Sequence, residues 1–319
     1  MSQDSHDKSR KASIEAAACG RLDALLADVP GLAAAIGDLS AISRQDGLSN
    51  EVFRIDGSRG EFILRLERPS LRGRVDRLTE AAFARRAADL GLGPSVVLVE
   101  PGRGLMLLQA LPDARPLASD DRADPGEAVL LGVALRKLHQ AAGLSAGRLC
   151  PEDLIAGLRA RVPATRLSIR DAHVVDAAMS AARQLDADPF HPVPSHGDPV
   201  PQNVLLSGGR LWLIDFEYAA LADPAWDLAY AGLEAGYGAA ARMALLTGYC
   251  AGDFPAAAQL ALRVGRMRLV CDVVSALWAL DQAEAGNPAT DFTAYAQARL
   301  ARARTALDQQ GKPSGKDDD

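Results

Sequence analysis

Three side chains between Ser195 and Tyr218 have the types and the spacing for metal and phosphate chemistry. Asn203 follows Asp198 by five residues in a proline-containing loop, and Asp215 follows a short apolar run further on. Carboxylate and amide oxygens suit Mg²⁺, which keeps several waters and shares phosphate oxygens. A remaining carboxylate can accept the proton of an attacking hydroxyl. The alternative is that the Asp and Asn side chains only cap turns in this loop.

The elements around these side chains set their separation. Two short apolar runs, Val204–Leu206 and Leu211–Ile214, flank the dipeptide Gly208-Gly209. Two glycines between apolar runs are typical of a tight hairpin. The sequence therefore predicts that Asp215 leaves the end of a strand.

A strand-rich block precedes this segment. Its predicted order is β-β-β-α-β-β, which is typical of a small α+β lobe with an antiparallel sheet. The predicted strands and helix are Leu39–Ser43, Glu51–Ile55, Glu61–Glu67, Val75–Leu90, Ser95–Glu100 and Gly104–Ala110. Gly91 is the expected C-cap of the helix.

Helical periodicity dominates the rest of the chain. The predicted helices are Ser13–Leu26, Pro125–Ala142, Pro151–Arg161 and Ile169–Leu185, with several more between Trp226 and Leu307. We therefore expect four segments. They are a tail and helix (1–34), a β-rich lobe (35–110), a larger helical lobe (111–309) and a disordered tail (310–319).

Composition excludes several classes of protein. The net charge is −6, from 35 Lys and Arg against 41 Asp and Glu, which argues against a nucleic-acid binder. Charges interrupt the longest apolar runs, as Asp272 does, so no membrane insertion is expected. Four scattered cysteines and a polar N-terminus without an apolar core favour a cytoplasmic protein.

The motifs together resemble the choline and ethanolamine kinases, within the aminoglycoside phosphotransferase-like kinases. The pattern H-x-D-x-x-x-x-N runs from His196 to Asn203, and Asp215-Phe-Glu-Tyr218 follows it. Further segments that match the family pattern are Gly47-Leu-Ser-Asn50, Leu131–His139, Asp223-Pro-Ala-Trp-Asp227-Leu-Ala229 and Leu277-Trp278. The resemblance covers about residues 35–305 and implies a protein-kinase-like α+β fold of two lobes.

That resemblance assigns roles to residues at the matching positions. It implies Asp198 as the catalytic base and Asn203 and Asp215 as Mg²⁺ ligands. It implies ATP between the lobes, bound by Gly47, Ser49, Asn50, Arg65, Glu80 and the connector Gln109–Leu111. Tyr218, Glu217 and Trp278 are the expected substrate-binding residues. His196 and Asp227 are expected to support the loop, and an N-cap is the alternative for Asp227.

Arg65 is the candidate for the cation that such enzymes place on the third strand. The chain has five lysines, at positions 8, 11, 137, 312 and 316, and none lies in the β-rich lobe. Arg65 follows Phe62-Ile-Leu in a predicted strand, and Glu80 is its expected partner on the next helix. A solvent-facing arginine and a solvated glutamate are the alternatives.

The expected substrate is a small amino-alcohol, with choline and ethanolamine as the first candidates. Trp278 and Tyr218 can supply aromatic faces for a cation, although core packing is the alternative for Trp278. Ser275 stands where eukaryotic choline kinases tend to have a second Trp, and Gly197 is more typical of aminoglycoside kinases. Thiamine, sugar and aminoglycoside kinases, or a nucleotide-binding pseudokinase, are therefore alternatives. A monomer and a homodimer are both compatible with the sequence.

Overall fold

The computed structural model describes residues 24–45, 50–68, 73, 75–119, 123–187, 191–287 and 289–310. Most of the predicted helix Ser13–Leu26, the predicted ligands Gly47 and Ser49, and nearly all of the predicted C-terminal tail lie outside these ranges. Contacts divide the chain into two compact units. The β-rich unit comprises Met1–Arg115 and Leu206–Tyr218, and the helical unit comprises Pro116–Leu205 and Ala219–Asp319.

The β-rich unit is built on a five-stranded antiparallel sheet with the strand order β1-β2-β3-β5-β4. Its elements are α1 (Pro30–Ile36), β1 (Leu39–Gln45), β2 (Asn50–Gly57), β3 (Gly60–Glu67), α2 (Arg77–Asp89), β4 (Val96–Glu100) and β5 (Leu105–Gln109). The predicted β-β-β-α-β-β order is confirmed, with bounds that differ by one or two residues at most ends.

Alternation along β3 separates the core from the charged side chains. Phe62, Leu64 and Leu66 are buried in one apolar cluster with residues of α1 and of neighbouring strands. Because successive side chains of a strand point to opposite faces, Arg65 lies on the other face. Arg65 pairs with Val52 of β2 and with Met106 of β5 in the sheet register, so it stands in a central strand.

The elements that follow β5 complete the chain. They are β6 (Arg115–Pro116), α3 (Pro125–His139), α4 (Pro151–Arg161), α5 (Ile169–Ala187), β7 (Val193–Ser195), β8 (Val204–Ser207), β9 (Arg210–Leu213), β10 (Ala220–Ala222), α6 (Pro224–Glu234), α7 (Ala239–Tyr249), α8 (Phe254–Glu284) and α9 (Phe292–Gln310). The antiparallel pair β7–β10 escaped sequence analysis because strands of three residues carry too little periodicity.

The predicted glycine turn before Asp215 is present. Gly208 and Gly209 have φ values of 58° and 71°, as a tight hairpin turn requires. Strand β9 ends at Leu213, one residue earlier than predicted, and the Leu213 N–H donates to the Leu92 carbonyl at 2.6 Å. This bond attaches the segment before Asp215 to the loop that follows α2.

Helix α8 is the central element of the helical unit. It has 31 residues, and its buried stretch includes Asp272 among apolar side chains. Helices α4, α5, α6, α7 and α9 all pack against it. Arg302 of α9 pairs with the Asp272 carboxylate, which explains how a charge can interrupt this apolar run. None of the described helices is long and apolar enough to cross a membrane.

Helices α3 and α7 cross at a pair of glycines. A Cβ atom on Gly132 would lie 2.1 Å from the Leu245 carbonyl oxygen, and one on Gly248 would lie 2.4 Å from that of Val129. Both distances are far below van der Waals contact, and both obstacles are backbone atoms. The absence of side chains at these two positions therefore sets the spacing between the two helices.

We expect Gly132→Ala to lower the free energy of unfolding by about 1–3 kcal/mol, the usual cost of overpacking. Urea unfolding of the variant measures this. The matched control is Gly157→Ala on an exposed position of α4, where the nearest atom to a new Cβ is 4.0 Å away. Helix propensity predicts that this control is neutral or stabilised by up to about 1 kcal/mol. Equal stability of the two variants would contradict the close crossing.

Candidate active site

In the β-rich unit, Arg65 joins a helix residue to the segment before Tyr218. Its Nη1 donates to Glu80 Oε1 at 2.9 Å, and its Nη2 donates to Asp215 Oδ1 at 2.6 Å. Arg65 and Glu80 are buried, with 8% and 3% of their surfaces exposed. The structure therefore brings together three residues that the sequence analysis singled out, across 150 residues of chain.

Neighbouring carboxylates stabilise the charged form of Arg65. Burial by itself lowers the pKa of the Arg65 guanidinium, but the carboxylates of Asp215, Glu80 and Glu217 outweigh burial and raise the pKa above its ordinary value. The guanidinium consequently carries its positive charge at every pH at which the protein is folded. The carboxylates that hold the direction of the guanidinium also offset part of its charge.

Arg77 is a member of this cluster that the sequence analysis missed. Its Nη1 donates to Glu80 Oε2 at 2.7 Å, and its Nη2 donates to Glu67 Oε1 at 3.0 Å. Arg77 thus holds the second oxygen of the carboxylate that Arg65 holds by the first. The available signal was its position three residues before Glu80, a spacing that puts both side chains on one face of a helix.

Asn50 and Glu217 meet within the same unit. Asn50 Nδ2 donates to Glu217 Oε2 at 3.2 Å, and Arg77 Nη1 lies 4.0 Å from that oxygen. The structure therefore places an expected ATP ligand, Asn50, against an expected substrate ligand, Glu217. Their separate roles stay predictions.

Asp215 has a left-handed backbone conformation. Its φ is 66°, a value that is uncommon outside glycine but tolerated by Asp and Asn. The next residue, Phe216, is buried and its ring centroid lies 6.4 Å from that of Phe83 on α2. The turn of the backbone at Asp215 and the anchoring of Phe216 together direct the Asp215 carboxylate toward Arg65.

In the helical unit, the loop around Asp198 is held by its own side chains. Asn203 Nδ2 donates to Asp198 Oδ2 and to the Asp198 carbonyl, both at 3.0 Å. The Asp198 N–H donates to His196 Nδ1 at 3.3 Å. The side chains of Asp198 and Asn203 are therefore in direct contact, and the imidazole of His196 holds the backbone at Asp198.

The Asp227 carboxylate is the anchor of this loop. It is fully buried and accepts the His196 N–H at 2.7 Å and the Gly197 N–H at 2.9 Å. His139 Nε2 lies 3.0 Å from Asp227 Oδ2 and donates to it, while His139 Nδ1 lies 3.0 Å from the Tyr249 hydroxyl. Asp227 therefore ties the loop to α3 through one histidine.

Hydrogen bonds to the charged carboxylate decide the ionisation of Asp227. Burial by itself raises the pKa, but hydrogen bonding and charge from His139, with the contribution of His196, lower it below the ordinary value. The alternative N-cap role for Asp227 is wrong, because Asp227 lies inside α6. The cap is Asp223, which accepts the Ala225 N–H at 2.9 Å.

Gly197 is required by the shape of the loop. Its φ is 84°, in the region that side chains disfavour, and its carbonyl accepts the indole N–H of Trp226 at 2.9 Å. A glycine at this position therefore has a local conformational reason, whatever the substrate.

The remaining predicted residues lie as follows. Gln109 ends β5 and is exposed, with Nε2 donating to the Glu61 carbonyl at 2.9 Å, and Leu111 follows it, partly exposed. Tyr218 is 44% exposed. Trp278 is half-buried on α8, with its ring edge-on to Phe292 at 5.4 Å between centroids.

Comparison with known proteins decides the family. The model of the phosphotransferase enzyme family (APH) matches residues 40–262, which is more than half of the chain. The chain belongs to this family. The match includes both the Asp198–Asn203 loop and the Asp215 segment, whereas Trp278 lies beyond its end.

Within this family, the chain is similar to solved structures of choline and ethanolamine kinases. A choline/ethanolamine kinase family protein from Mesorhizobium loti is 30% identical, with a TM-score of 0.78 over 92% of this chain and 95% of that chain. The choline kinase LicA from Streptococcus pneumoniae is 21% identical, with a TM-score of 0.74 over 89% and 99%. The expected kinase-like α+β fold and the resemblance to the choline/ethanolamine kinase family are confirmed.

A curated relative matches over a short stretch. Protein LicA of Haemophilus influenzae is 46% identical over 57 residues, which are 18% of this chain and 21% of that protein. The match thus spans about a fifth of the relative's length, and the relative's activity as a whole is not carried over by it.

We expect Asp227→Asn to lower the free energy of unfolding by about 3 kcal/mol or more, because the amide cannot replace a buried charged acceptor. The folded pKa of Asp227 is lowered, so its contribution is complete above the unfolded pKa of about 3.9 and is lost as the pH falls through the folded value. The stability gap between wild type and variant should therefore be widest near pH 7 and narrow below about pH 4.

Urea unfolding across this pH range is the measurement. Asp176→Asn, at an exposed position of α5, is the matched control and should follow wild type at every pH. A gap that stays constant down to pH 3 would show that the charge of Asp227 does not stabilise the loop.

Proposed function

We propose that this chain is an ATP- and Mg²⁺-dependent kinase that phosphorylates the hydroxyl of a small amino-alcohol, with choline and ethanolamine as the first candidates. The observation that carries the proposal is the loop in which Asn203 holds one oxygen of Asp198 and Asp227 holds the loop backbone. This loop presents a carboxylate in a defined orientation. Catalysis of phosphoryl transfer consists mostly of positioning and electrostatic stabilisation, which such a loop supplies.

Asp198 is the proposed acceptor of the hydroxyl proton. Asn203 donates to its Oδ2, and the backbone N–H of Asp198 donates to His196 Nδ1. A carboxylate constrained in this way can orient an attacking hydroxyl and take its proton as the new bond to phosphorus forms. The loop anchored on Asp227 limits the freedom of that carboxylate to move away.

Asn203 and Asp215 have the donor chemistry for Mg²⁺. The hydrogen bonds of Asn203 to Asp198 use Nδ2, so its carbonyl oxygen is the atom that would bind a metal. Asp215 would supply a carboxylate oxygen. The described residues contain no cluster of three or more His, Cys, Asp or Glu that could hold a metal ion. The metal would therefore share its ligands with nucleotide phosphates and water, as Mg²⁺ usually does, and would neutralise phosphate charge when bound.

Arg65 is the proposed cation for the nucleotide phosphates. Its ion pair with Glu80, which Arg77 reinforces from the other side, fixes the direction of the guanidinium in the central strand β3. Asn50 begins β2 beside this cluster, directly after the Gly47-Leu-Ser segment proposed to cover the phosphates. Gln109 and Leu111 are proposed to contact the nucleotide base. A buried, permanently charged arginine suits a bound polyphosphate.

Two observations support a substrate with a cationic amino group, namely the partly exposed aromatic side chains and the likeness to choline/ethanolamine kinases. Trp278 and Tyr218 are partly exposed, so an aromatic face can meet a bound cation. Glu217 would add a negative charge, although Asn50 and Arg77 already contact it in this structure. The family likeness to choline/ethanolamine kinases supports the same class of alcohol.

We expect Arg65→Lys to lower kcat/KM for ATP about 10- to 100-fold, because a lysine cannot hold both Glu80 and a phosphate in the arginine geometry. A lost hydrogen bond to a charged group costs about 1.5–3 kcal/mol. Steady-state kinetics at saturating alcohol measure the effect. Arg54→Lys is the control, since Arg54 makes its ion pair with Glu61 at the surface of the same sheet. A variant as active as wild type would remove Arg65 from the nucleotide site.

The proposed activity is tested by ADP release with Mg²⁺ and ATP across choline, ethanolamine, thiamine, kanamycin and several sugars. We expect turnover with an amino-alcohol, and a fall in kcat of about 10²–10⁴ in Asp198→Asn, the range for a lost general base. Asp176→Asn should retain wild-type turnover. Turnover confined to a sugar or kanamycin would refute the amino-alcohol. Absence of ADP release with all of them, together with retained nucleotide binding, would favour a pseudokinase.

A further inference from the structure

Three half-buried aromatic side chains lie on neighbouring helices of the helical unit. They are Tyr230 on α6, Trp278 on α8 and Tyr295 on α9. The rings of Trp278 and Tyr295 are edge-on, with centroids 6.4 Å apart, and the Tyr230 hydroxyl lies 3.2 Å from Ser275 Oγ. This group, the aromatic cluster below, is a candidate cradle for a cationic head group.

The aromatic cluster lies within electrostatic reach of the proposed catalytic carboxylate. Burial, and after it the Asp198 charge, raise the pKa of the Tyr230 hydroxyl. Burial and the Glu234 carboxylate raise the pKa of Tyr295 to about 12, with a smaller contribution from Asp198. The contacts place the cluster in the same neighbourhood, because the Tyr230 ring stacks on that of Trp226 with centroids 6.1 Å apart, and Trp226 Nε1 donates to the carbonyl of Gly197, the residue before Asp198. The far end of an alcohol bound at Asp198 can therefore reach this part of the helical unit.

A side chain of the protein already occupies the cation position of this cluster. The guanidinium carbon of Arg299 lies 4.0 Å from the ring centroid of Tyr295. Arg299 Nε donates to Glu234 Oε1 at 3.0 Å, and Nη2 donates to the other oxygen of the same carboxylate. An aromatic face beside a carboxylate is the environment that binds a quaternary ammonium group. Here both components are engaged by Arg299.

A second arginine reduces the negative charge further. Arg302 Nη2 donates to Glu234 Oε1 at 3.0 Å and also pairs with Asp272. Two guanidinium groups thus share the Glu234 carboxylate. A substrate cation approaching Tyr295 would meet a neutralised acid and a like charge, which opposes its binding.

We propose that Arg299 is a specificity-determining residue, which keeps a quaternary ammonium head group off the face of Tyr295 and so favours alcohols with a primary amine over choline. The inference rests on the proposed function, because it concerns the acceptor of that reaction. A tethered group competes at an effective concentration of about millimolar, so a free cation must reach that range to displace it. A primary amine can instead donate hydrogen bonds to oxygens of the aromatic cluster and does not need a free ring face.

The test compares Arg299→Gln with wild type by calorimetric titration with tetramethylammonium chloride, at constant ionic strength and without ATP. We expect the variant to bind about 10-fold more tightly, in the range of a cation–π contact at a partly exposed site. The double variant Tyr295→Leu/Arg299→Gln should lose this gain. Arg304→Gln is the matched control on the same helix, since Arg304 pairs with Asp171 elsewhere. Arg299→Met is measured as well, so that a folding defect of one replacement does not decide the result.

Each outcome decides the inference. Unchanged affinity in folded Arg299→Gln or Arg299→Met overturns it, and so does an equal gain in Arg304→Gln, which would reflect net charge alone. A gain that survives loss of Tyr295 also overturns it. When turnover is measured by ADP release, the ratio of kcat/KM for choline to kcat/KM for ethanolamine should rise about 10-fold in Arg299→Gln. Failure of every alcohol to turn over would refute the proposed function while the titration still tests Arg299.

Discussion

One buried carboxylate, Asp227, determines the shape of the loop that carries Asp198. Two consecutive backbone N–H groups and one imidazole donate to it, and it has no exposed surface. A buried charge is tolerated only when such donors replace water. Removing any one donor leaves the buried carboxylate with fewer hydrogen bonds and destabilises the fold. The loop can therefore keep one conformation although it contains no helix or strand of more than three residues around Asp198.

The β-rich unit uses the same principle with the sign reversed. There the buried charge is the Arg65 guanidinium, and carboxylates from α2 and from the segment after β9 surround it. Arg77 extends the arrangement, because it holds the Glu80 oxygen that Arg65 leaves unused. In each unit one buried ion, paired on several sides, orients a side chain that the sequence analysis singled out and that secondary structure alone would not fix.

The sequence predicted what depends on local pattern or on fixed spacing. The strands of the sheet and the glycine turn before Asp215 follow from alternation and turn chemistry. Arg65 was predictable because the β-rich lobe has no lysine. Arg77 and Arg299 were not, since one arginine on a helix surface resembles any other until its neighbours are known. The N-cap alternative for Asp227 failed because Asp223, four residues earlier, competes for the same helix start.

The glycine crossing of α3 and α7 couples helix spacing to the ionic network. Gly132 lies two turns before His139 on α3, and Gly248 directly precedes Tyr249 on α7, so the histidine and the tyrosine meet just beyond the crossing. Once a methyl group at one glycine has separated the helices, a second methyl group meets little further obstruction. Substitutions at the two sites should therefore be strongly non-additive. During evolution the two glycines would then tend to be replaced together. The first replacement causes nearly all of the loss of stability, and the second position can then vary with little further loss.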